Sequence, residues 1–524
     1  MNRRHFMQAG AAALALPSIA RAQHATTLRF VPYADLAVLD PLTSSFMTRN
    51  HVMAVYDTLY ALDARGRPQP QLVEGAAVED DGKLWRLTLR QGPRFHDGTP
   101  VLARDAVASL RRWATRDSFG MSLLAVTEEL SAPDDRTVQF RLKRPFPLLP
   151  DALAKPTNLM AAIMPERLAG TPPGQPLPEV VGSGPFRFVA EERVPGARNI
   201  YRKFDRYVPR PDGTPSFAAG PRIAHFDRVE WLTMPDPATQ IAALQQGEVD
   251  WVEQPLMDLV PRLKRDRNLA LQVVEDTGLI GFIRFNCLHP PFDNAAVRRV
   301  LLKAVRQREF MTAVVGPDAA AMNDRVGIFT PNMPSASEAG LEVMQGPVDL
   351  PTLKAELAAA GYKGERVVLL AATDVPRINA ICEVTGATCR ALGMNLDYVQ
   401  TDWGTVTQRI PNRAPPGQGG WNIFLAYSGG YDLSSPATHS QIRGNGPNAW
   451  IGWPDAPRLE ELRDAWLAEP DAARQKSLAG EIQQEAWRQA IYLPVGAYYQ
   501  PVAYRKELTG MLTGLPIMWN IRRG

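Results

Sequence analysis

The sequence predicts an α/β protein of two or three domains, and three observations carry that prediction. Val367–Ala372 is a continuous apolar run, the segment from about Pro376 to Leu392 reads as a helix ended by Gly393, and Asn395–Gln400 reads as the next strand. Strand, helix and strand at this spacing form a βαβ unit, which calls for a parallel or mixed sheet. Short alternating strands also occur in the first third, and 524 residues exceed what one hydrophobic core organises.

The chain opens with MNRRHFMQAGAAALALPSIARA. Arg3 and Arg4 are followed by an uncharged stretch, Phe6–Ile19, and then by the small residues Ala20 and Ala22. That order is a secretory signal over residues 1–22, and the arginine pair resembles a twin-arginine export signal. A membrane anchor is the competing reading, but the apolar run falls short of the roughly 20 residues that a bilayer span requires. No cysteine follows the cleavage site to carry a lipid. The expectation is a soluble periplasmic protein.

In LWRLTLR, Trp85, Leu87 and Leu89 alternate with Arg86, Thr88 and Arg90; RTVQFRLK repeats the pattern with Val138, Phe140 and Leu142. Both predict half-buried strands. Between them Val107, Leu110 and Trp113 have helical spacing, with Asp105 near the start where the helix dipole favours a carboxylate. Met160 to Pro221 is dense in proline and glycine and predicts irregular surface connections. Asp236-Pro237 starts a helix with Ile241 and Leu244 inward, which stops at Gly247 before the strand entry GEVDW. GFIRFNCL is an apolar strand broken by His289-Pro290-Pro291. Asp293 or Asn294 then caps a helix with Val297, Val300, Leu301, Ala304 and Val305 inward. Trp421–Tyr427 predicts another buried strand, and two helical segments lie between Pro457 and Ala490.

Charge narrows the function. The formal charge is +3, and three of the 58 basic residues lie in the export segment, leaving 55 against 55 acidic residues. A neutral mature chain has no global attraction to nucleic acid or anionic membranes. Tyr201-Arg202-Lys203 and Arg298-Arg299 are accordingly read as solvated faces. Cys287, Cys382 and Cys389 are the only cysteines. Cys382 and Cys389 are separated by about 10 Å along a helix, beyond disulfide reach, so buried thiols are expected.

His96-Asp97 invites a catalytic reading. Asp97-Gly98 is also a turn dipeptide between strand and helix, and no third group or metal motif stands nearby. HExxH and GxSxG are absent, and the Gly82-Lys83 pair has Ala77 where a phosphate-binding loop needs glycine. Gly444-Asn445-Gly446-Pro447-Asn448-Ala449 looks like a dinucleotide fingerprint, but Pro447 and the missing strand-turn-helix context make it a loop. Seven scattered histidines have no ligand spacing, so neither metal nor cofactor is expected. What the second half offers instead is aromatic residues beside glycine and polar groups. Trp403 follows a strand, and another strand runs into Tyr427, Ser428, two glycines, Tyr431 and Asp432. Loops at strand ends of an α/β sheet bind small ligands, and an aromatic wall with one carboxylate suits an apolar body bearing an ammonium group. The bland alternative makes these aromatics core and Asp432 a loop cap.

Many short pieces, in order over about Leu28 to Leu515, resemble the solute-binding proteins of ABC importers for peptides, nickel complexes and related solutes. They are Leu39-Asp40-Pro41, Tyr56-Asp57-Thr58-Leu59, Trp85–Gly98, Gly182-Ser183-Gly184-Pro185-Phe186, Gly247-Glu248-Val249-Asp250, Asn286, Pro291-Phe292-Asp293 and Val297-Arg298. The resemblance implies a two-lobed periplasmic binding protein of type II, similar to cluster C, with a ligand closed between the lobes. It implies lobe I over 23–280 with an extra subdomain at about 60–180, lobe II over 281–495, and a return to lobe I over 496–524, with crossings near Gly278–Asn286 and Leu493–Tyr504. It makes the HDG segment a structural turn. Peptide-binding members place an aspartate four residues before a proline to take the ligand's amino terminus, and Asp432 and Pro436 have that spacing; Trp403 matches their pocket tryptophan. The loop before Asp432 is one residue longer and lacks a tryptophan often seen there. The arginine that dipeptide binders carry before the 376–392 helix has only Arg377 as an approximate substitute. The expected ligand-binding residues are Trp403 and Tyr431 as walls, Asp432 as cation anchor, and Tyr427, Ser428 and Tyr33 as secondary contacts. The expected function is capture of a peptide or amino-group-bearing solute by a monomeric, non-enzymatic receptor and its delivery to membrane permease subunits. A periplasmic hydrolase or peptide chaperone on the same fold is the alternative.

Overall fold

The computed structural model describes residues 26–524, so the expected export signal lies outside the described residues. The chain forms two compact units. Of the described residues, one contains those up to Arg144, Leu149–Glu275 and Pro501–Gly524; the other contains Pro145–Leu148 and Asp276–Gln500.

The first unit is built on a seven-stranded sheet. Its order is Leu269–Val273, Pro501–Arg505, Trp251–Val252, Thr27–Val31, Arg228–Leu232, Arg198–Lys203 and Phe186–Phe188. Thr27–Val31 runs parallel to both neighbours, which brings Phe30 opposite Trp231 on one side and Trp251 on the other. The ring centroids lie 5.6 and 4.6 Å apart, and all three side chains are inaccessible to solvent. Burial of each such ring contributes about 1.5–3 kcal/mol, so this row fixes the sheet's register.

Two expectations are corrected here. The stretch read as irregular surface connections supplies two strands, Phe186–Phe188 and Arg198–Lys203, which pair antiparallel and complete the sheet. In RNIYRK the residues Asn199, Ile200 and Tyr201 are all buried, so both faces of the strand are covered and no two-residue period exists to be read. In the basic cluster Tyr201-Arg202-Lys203 only Tyr201 is buried; Arg202 is exposed and Lys203 half-buried, so the charged side chains do face solvent. Arg298, by contrast, is buried, its guanidinium donating to Gln489 O at 2.9 and 2.8 Å and to Phe292 O at 2.5 Å.

A separate antiparallel sheet in this unit has the order Val73–Glu79, Leu84–Leu89, Thr137–Leu142 and Thr127–Ser131. Leu87, Leu89, Val138, Phe140 and Leu142 are buried there, and the helix Ala103–Trp113 packs alongside. Asp105 caps that helix by accepting from Leu102 N at 2.9 Å. The HDG turn precedes it. Asp97 accepts from Thr99 N and Thr99 Oγ1, while the neutral His96 ring accepts from Gly182 N at 3.3 Å and donates to Gly184 O at 3.0 Å. Burial pushes the His96 imidazole down to about 4. His96 therefore clamps the GSG segment, where a Cβ on Gly182 would lie 2.0 Å from Val55 O. It is a structural histidine.

The second unit carries a six-stranded mixed sheet in the order Met322–Asn323, Tyr492–Tyr498, Leu279–Phe285, Ile423–Gly429, Arg366–Ala372 and Asn395–Thr401. The last three strands are parallel to one another. The helix Pro376–Ala391 covers them and buries Cys382 and Cys389, whose thiols burial pushes up to about 12. Asn294, rather than Asp293, caps the helix Ala295–Ala304.

Candidate functional site

Because Arg366–Ala372, Asn395–Thr401 and Ile423–Gly429 are parallel, their carboxyl ends come out at one edge of the second unit. Leu279 pairs with both Gly429 and Tyr498 at that edge. Five of the six expected binding residues gather there. Trp403, Tyr427 and Asp432 are half-buried, while Ser428 and Tyr431 are buried at 8% and 6% exposure.

Each loop at this edge is tied to its neighbour. Thr373 N donates to Thr401 O at 2.9 Å, and Trp403 N donates to Asp374 Oδ1 at 2.8 Å, which holds the tryptophan at the first turn of the helix Trp403–Arg409. Tyr427 donates its hydroxyl proton to Arg377 O at 3.2 Å. Burial pushes that hydroxyl well above its ordinary value and the Arg377 charge opposes this, so the group stays neutral. The Tyr427 ring, edge-on to Tyr498 at 5.3 Å, remains as an apolar surface. Ser428 Oγ accepts from Gln441 Nε2 at 2.8 Å and keeps its own proton to donate.

The strand then enters the short helical turn Gly430–Leu433, which positions Tyr431 and Asp432. Gly430 is needed for close approach: a Cβ would sit 2.4 Å from Thr277 O. Its carbonyl accepts from Thr330 Oγ1 at 2.5 Å, and Thr330 N donates to Leu433 O at 3.2 Å. The edge thus offers rigid aromatic surface, the Asp432 carboxylate beside the loop-capping Asp374, and the nearby Arg377 guanidinium. It offers hydrogen bonds and ion pairing, with no nucleophile–base pair among the residues named.

Tyr33 belongs to the first unit, two residues past the strand Thr27–Val31. The sequence reading missed its surroundings. Tyr33 N donates to Glu253 Oε2 at 2.9 Å, and Asn50 Nδ2 donates to Glu253 Oε1 at 3.1 Å. Nothing local in GEVDWVE signals this role, because the partners lie over 200 residues apart in sequence. Gln441 and Arg284 were missed for the same reason. Open clefts of about 820 Å³ beside Leu39 and about 870 Å³ beside Phe329 touch none of the expected residues.

The comparisons with known proteins agree with this architecture. Residues 67–449 match the family described as bacterial extracellular solute-binding proteins, family 5 middle. The probable peptide ABC transporter periplasmic-binding protein y4tO of Sinorhizobium fredii is 36% identical, over 100% of this chain and 99% of its own. Among solved structures, AgaA of A. tumefaciens R10, in complex with agropinic acid, superposes with a TM-score of 0.78 at 23% identity, covering 95% of this chain and 99% of that one. DppA of Helicobacter pylori, in complex with the peptide STSA, gives 0.77 at 19% identity, covering 96% and 99%. The fold is that of a two-lobed periplasmic binding protein, and the chain belongs to family 5 of the bacterial extracellular solute-binding proteins.

Proposed function

We propose that this chain is the periplasmic receptor of an ABC importer, exported by its N-terminal segment, and that it captures a short peptide or a related amino-group-bearing solute for a membrane permease. The end-to-end similarity to a relative named as a peptide transporter component carries this reading. In it Asp432 anchors the ligand's ammonium group, and Trp403 and Tyr431 line the ligand's apolar body. Tyr427, Ser428 and Tyr33 add secondary contacts. The juxtaposition of a carboxylate, a guanidinium and aromatic rings at one sheet edge supports a zwitterionic ligand. Binding rather than turnover is the work such a set of groups can do.

The test is the mass of the protein recovered from periplasm, measured under native and denaturing conditions, followed by titration of Asp432→Ala. A peptide released on denaturation is the expected result. Loss of one hydrogen-bonded charge pair costs about 1.5–3 kcal/mol, or roughly 10- to 150-fold in affinity. An unchanged Kd in Asp432→Ala removes Asp432 from the site, and a released ligand without an amino group overturns the ligand class.

A further inference from the structure

We propose that Thr330 is the positioning residue behind Asp432: from a buried strap it staples both ends of the turn Gly430–Leu433 and so sets selectivity for a ligand's ammonium group. This rests on the reading of Asp432 as the ammonium anchor and extends it to a residue that no similarity assigns.

A four-residue helical turn has little to keep it in one shape, because bonds from i to i+3 have poor geometry and a short turn gains nothing from propagation. Its exit bond, Ser434 N to Tyr431 O, is long at 3.4 Å. The two end carbonyls are held instead by one residue of the same unit. Thr330 Oγ1 donates to Gly430 O at 2.5 Å, and Thr330 N donates to Leu433 O at 3.2 Å. Tyr431 and Asp432 lie between these two points. On the strand side Gly430 N donates to Gly278 O at 2.9 Å, which leaves the turn free to pivot there if the hydroxyl bond is lost.

A staple positions a turn only if its own segment is fixed. Residues 326–330 are neither helix nor strand, yet Val326, Ile328, Phe329 and Thr330 are exposed by 1% or less. Buried irregular backbone must find partners. Two buried glutamines supply them. Gln307, on the helix Gln307–Val315, donates from Nε2 to Val326 O at 2.8 Å and accepts from Val326 N at 2.8 Å. Gln483, on the helix Ala472–Gln489, accepts from Ile328 N at 3.0 Å and donates to Ser337 O and Ala339 O at 2.9 and 2.7 Å. Gly327 lets the strap pass against Gln483, since a Cβ would lie 2.4 Å from Gln483 Oε1. Phe329 then stands edge-on to His439 at 6.1 Å. Two helices thus fix the strap, and Thr330 passes that rigidity to the turn. A hydrogen bond between a carboxylate and an ammonium group weakens steeply with angle, so a carboxylate on a loosened turn loses its selectivity for the ammonium group before the remaining contacts are lost.

The experiment is calorimetric titration of the mature protein with trialanine and with propionyl-alanyl-alanine, which lacks only the amino group. The wild type is expected to prefer trialanine by roughly 10- to 150-fold. In Thr330→Val, which keeps the shape and loses the hydroxyl, the preference should fall to about threefold or less, and Thr330→Ser should restore most of it. Amide exchange of Gly430 in the ligand-free protein should quicken roughly tenfold in Thr330→Val and stay near wild type in Thr330→Ser. A purely structural role for Thr330 weakens both peptides alike and leaves the preference intact, which overturns the proposal. Gly430 exchange at the wild-type rate in Thr330→Val overturns it as well, whatever the ligand. Equal wild-type affinity for the two peptides removes the ammonium anchor and this inference with it, and binding of neither overturns the peptide reading on which both stand.

Discussion

Replacing Arg284 by methionine should cost the second unit about 4 kcal/mol. The side chain is inaccessible to solvent. It donates to Ile451 O at 2.5 Å, Gln441 O at 2.6 Å, Ile491 O at 2.9 Å and Trp450 O at 3.1 Å. Burial lowers its pKa to about 10, so it remains a cation at neutral pH. Hydrogen bonds to a charged group are worth about 1.5–3 kcal/mol each, so four give roughly 6–12. Against this stands the cost of taking an ion out of water, several kcal/mol in a real protein, which methionine does not incur. The difference leaves about 4 kcal/mol, mostly from carbonyls left without a donor. For a unit of this size that lowers its unfolding midpoint by about 8–16 °C. Differential scanning calorimetry reads it directly. Arg284→Lys should recover less than half, since one ammonium cannot reach four carbonyls fanned around a planar fork. The same loss should loosen the segment around Gln441, and with it the donor on Ser428. A midpoint shift under about 3 °C, or a lysine variant equal to wild type, would refute the hub reasoning.

Two further outcomes follow from buried titratable groups. Cys382 and Cys389 are inaccessible and their thiols are pushed up to about 12, so a thiol reagent at pH 8 should modify them only as the protein unfolds; immediate labelling of either would contradict their burial. His51 and His439, one in each unit, are buried neutral with pKa values lowered to about 3. The unfolded chain binds these protons from about pH 6.5 downward and the folded chain does not until about pH 3. Stability should therefore fall with pH across that window, by about 1.4 kcal/mol per pH unit per histidine. Urea unfolding of His439→Phe between pH 6 and 4 should show a flatter slope than wild type; an identical slope would mean that His439 is already protonated in the native state.

The candidate site divides along the same line as the fold. Trp403 and the Tyr427–Asp432 segment were legible because each follows an apolar strand, and strand ends of an α/β sheet are where ligands bind. That three such ends share one edge depends on the parallel pairing of Arg366–Ala372 with both neighbours. Residues as far apart as Trp403 and Ser428 cannot report that pairing locally. Arg298 illustrates the opposite failure, since two adjacent arginines read as solvated although the first is buried against carbonyls.

By itself the sequence determined the α/β class, the βαβ unit over 367–400, the helix stops at Gly247 and Gly393, and the turn role of Asp97-Gly98. These are set by hydrophobic period and by backbone preferences over a few residues. The tertiary structure alone decided that RNIYRK is a sheet strand, that His96 clamps Gly182 and Gly184, that Arg284 gathers four carbonyls, and that Glu253 joins Tyr33 to Asn50. The strand pairs with segments roughly 13 to 34 residues away, and the other three outcomes rest on partners 80 to 220 residues away. Desolvation makes such partners obligatory, because a buried polar group must find a hydrogen bond. Which partner it finds is a property of the assembled sheets.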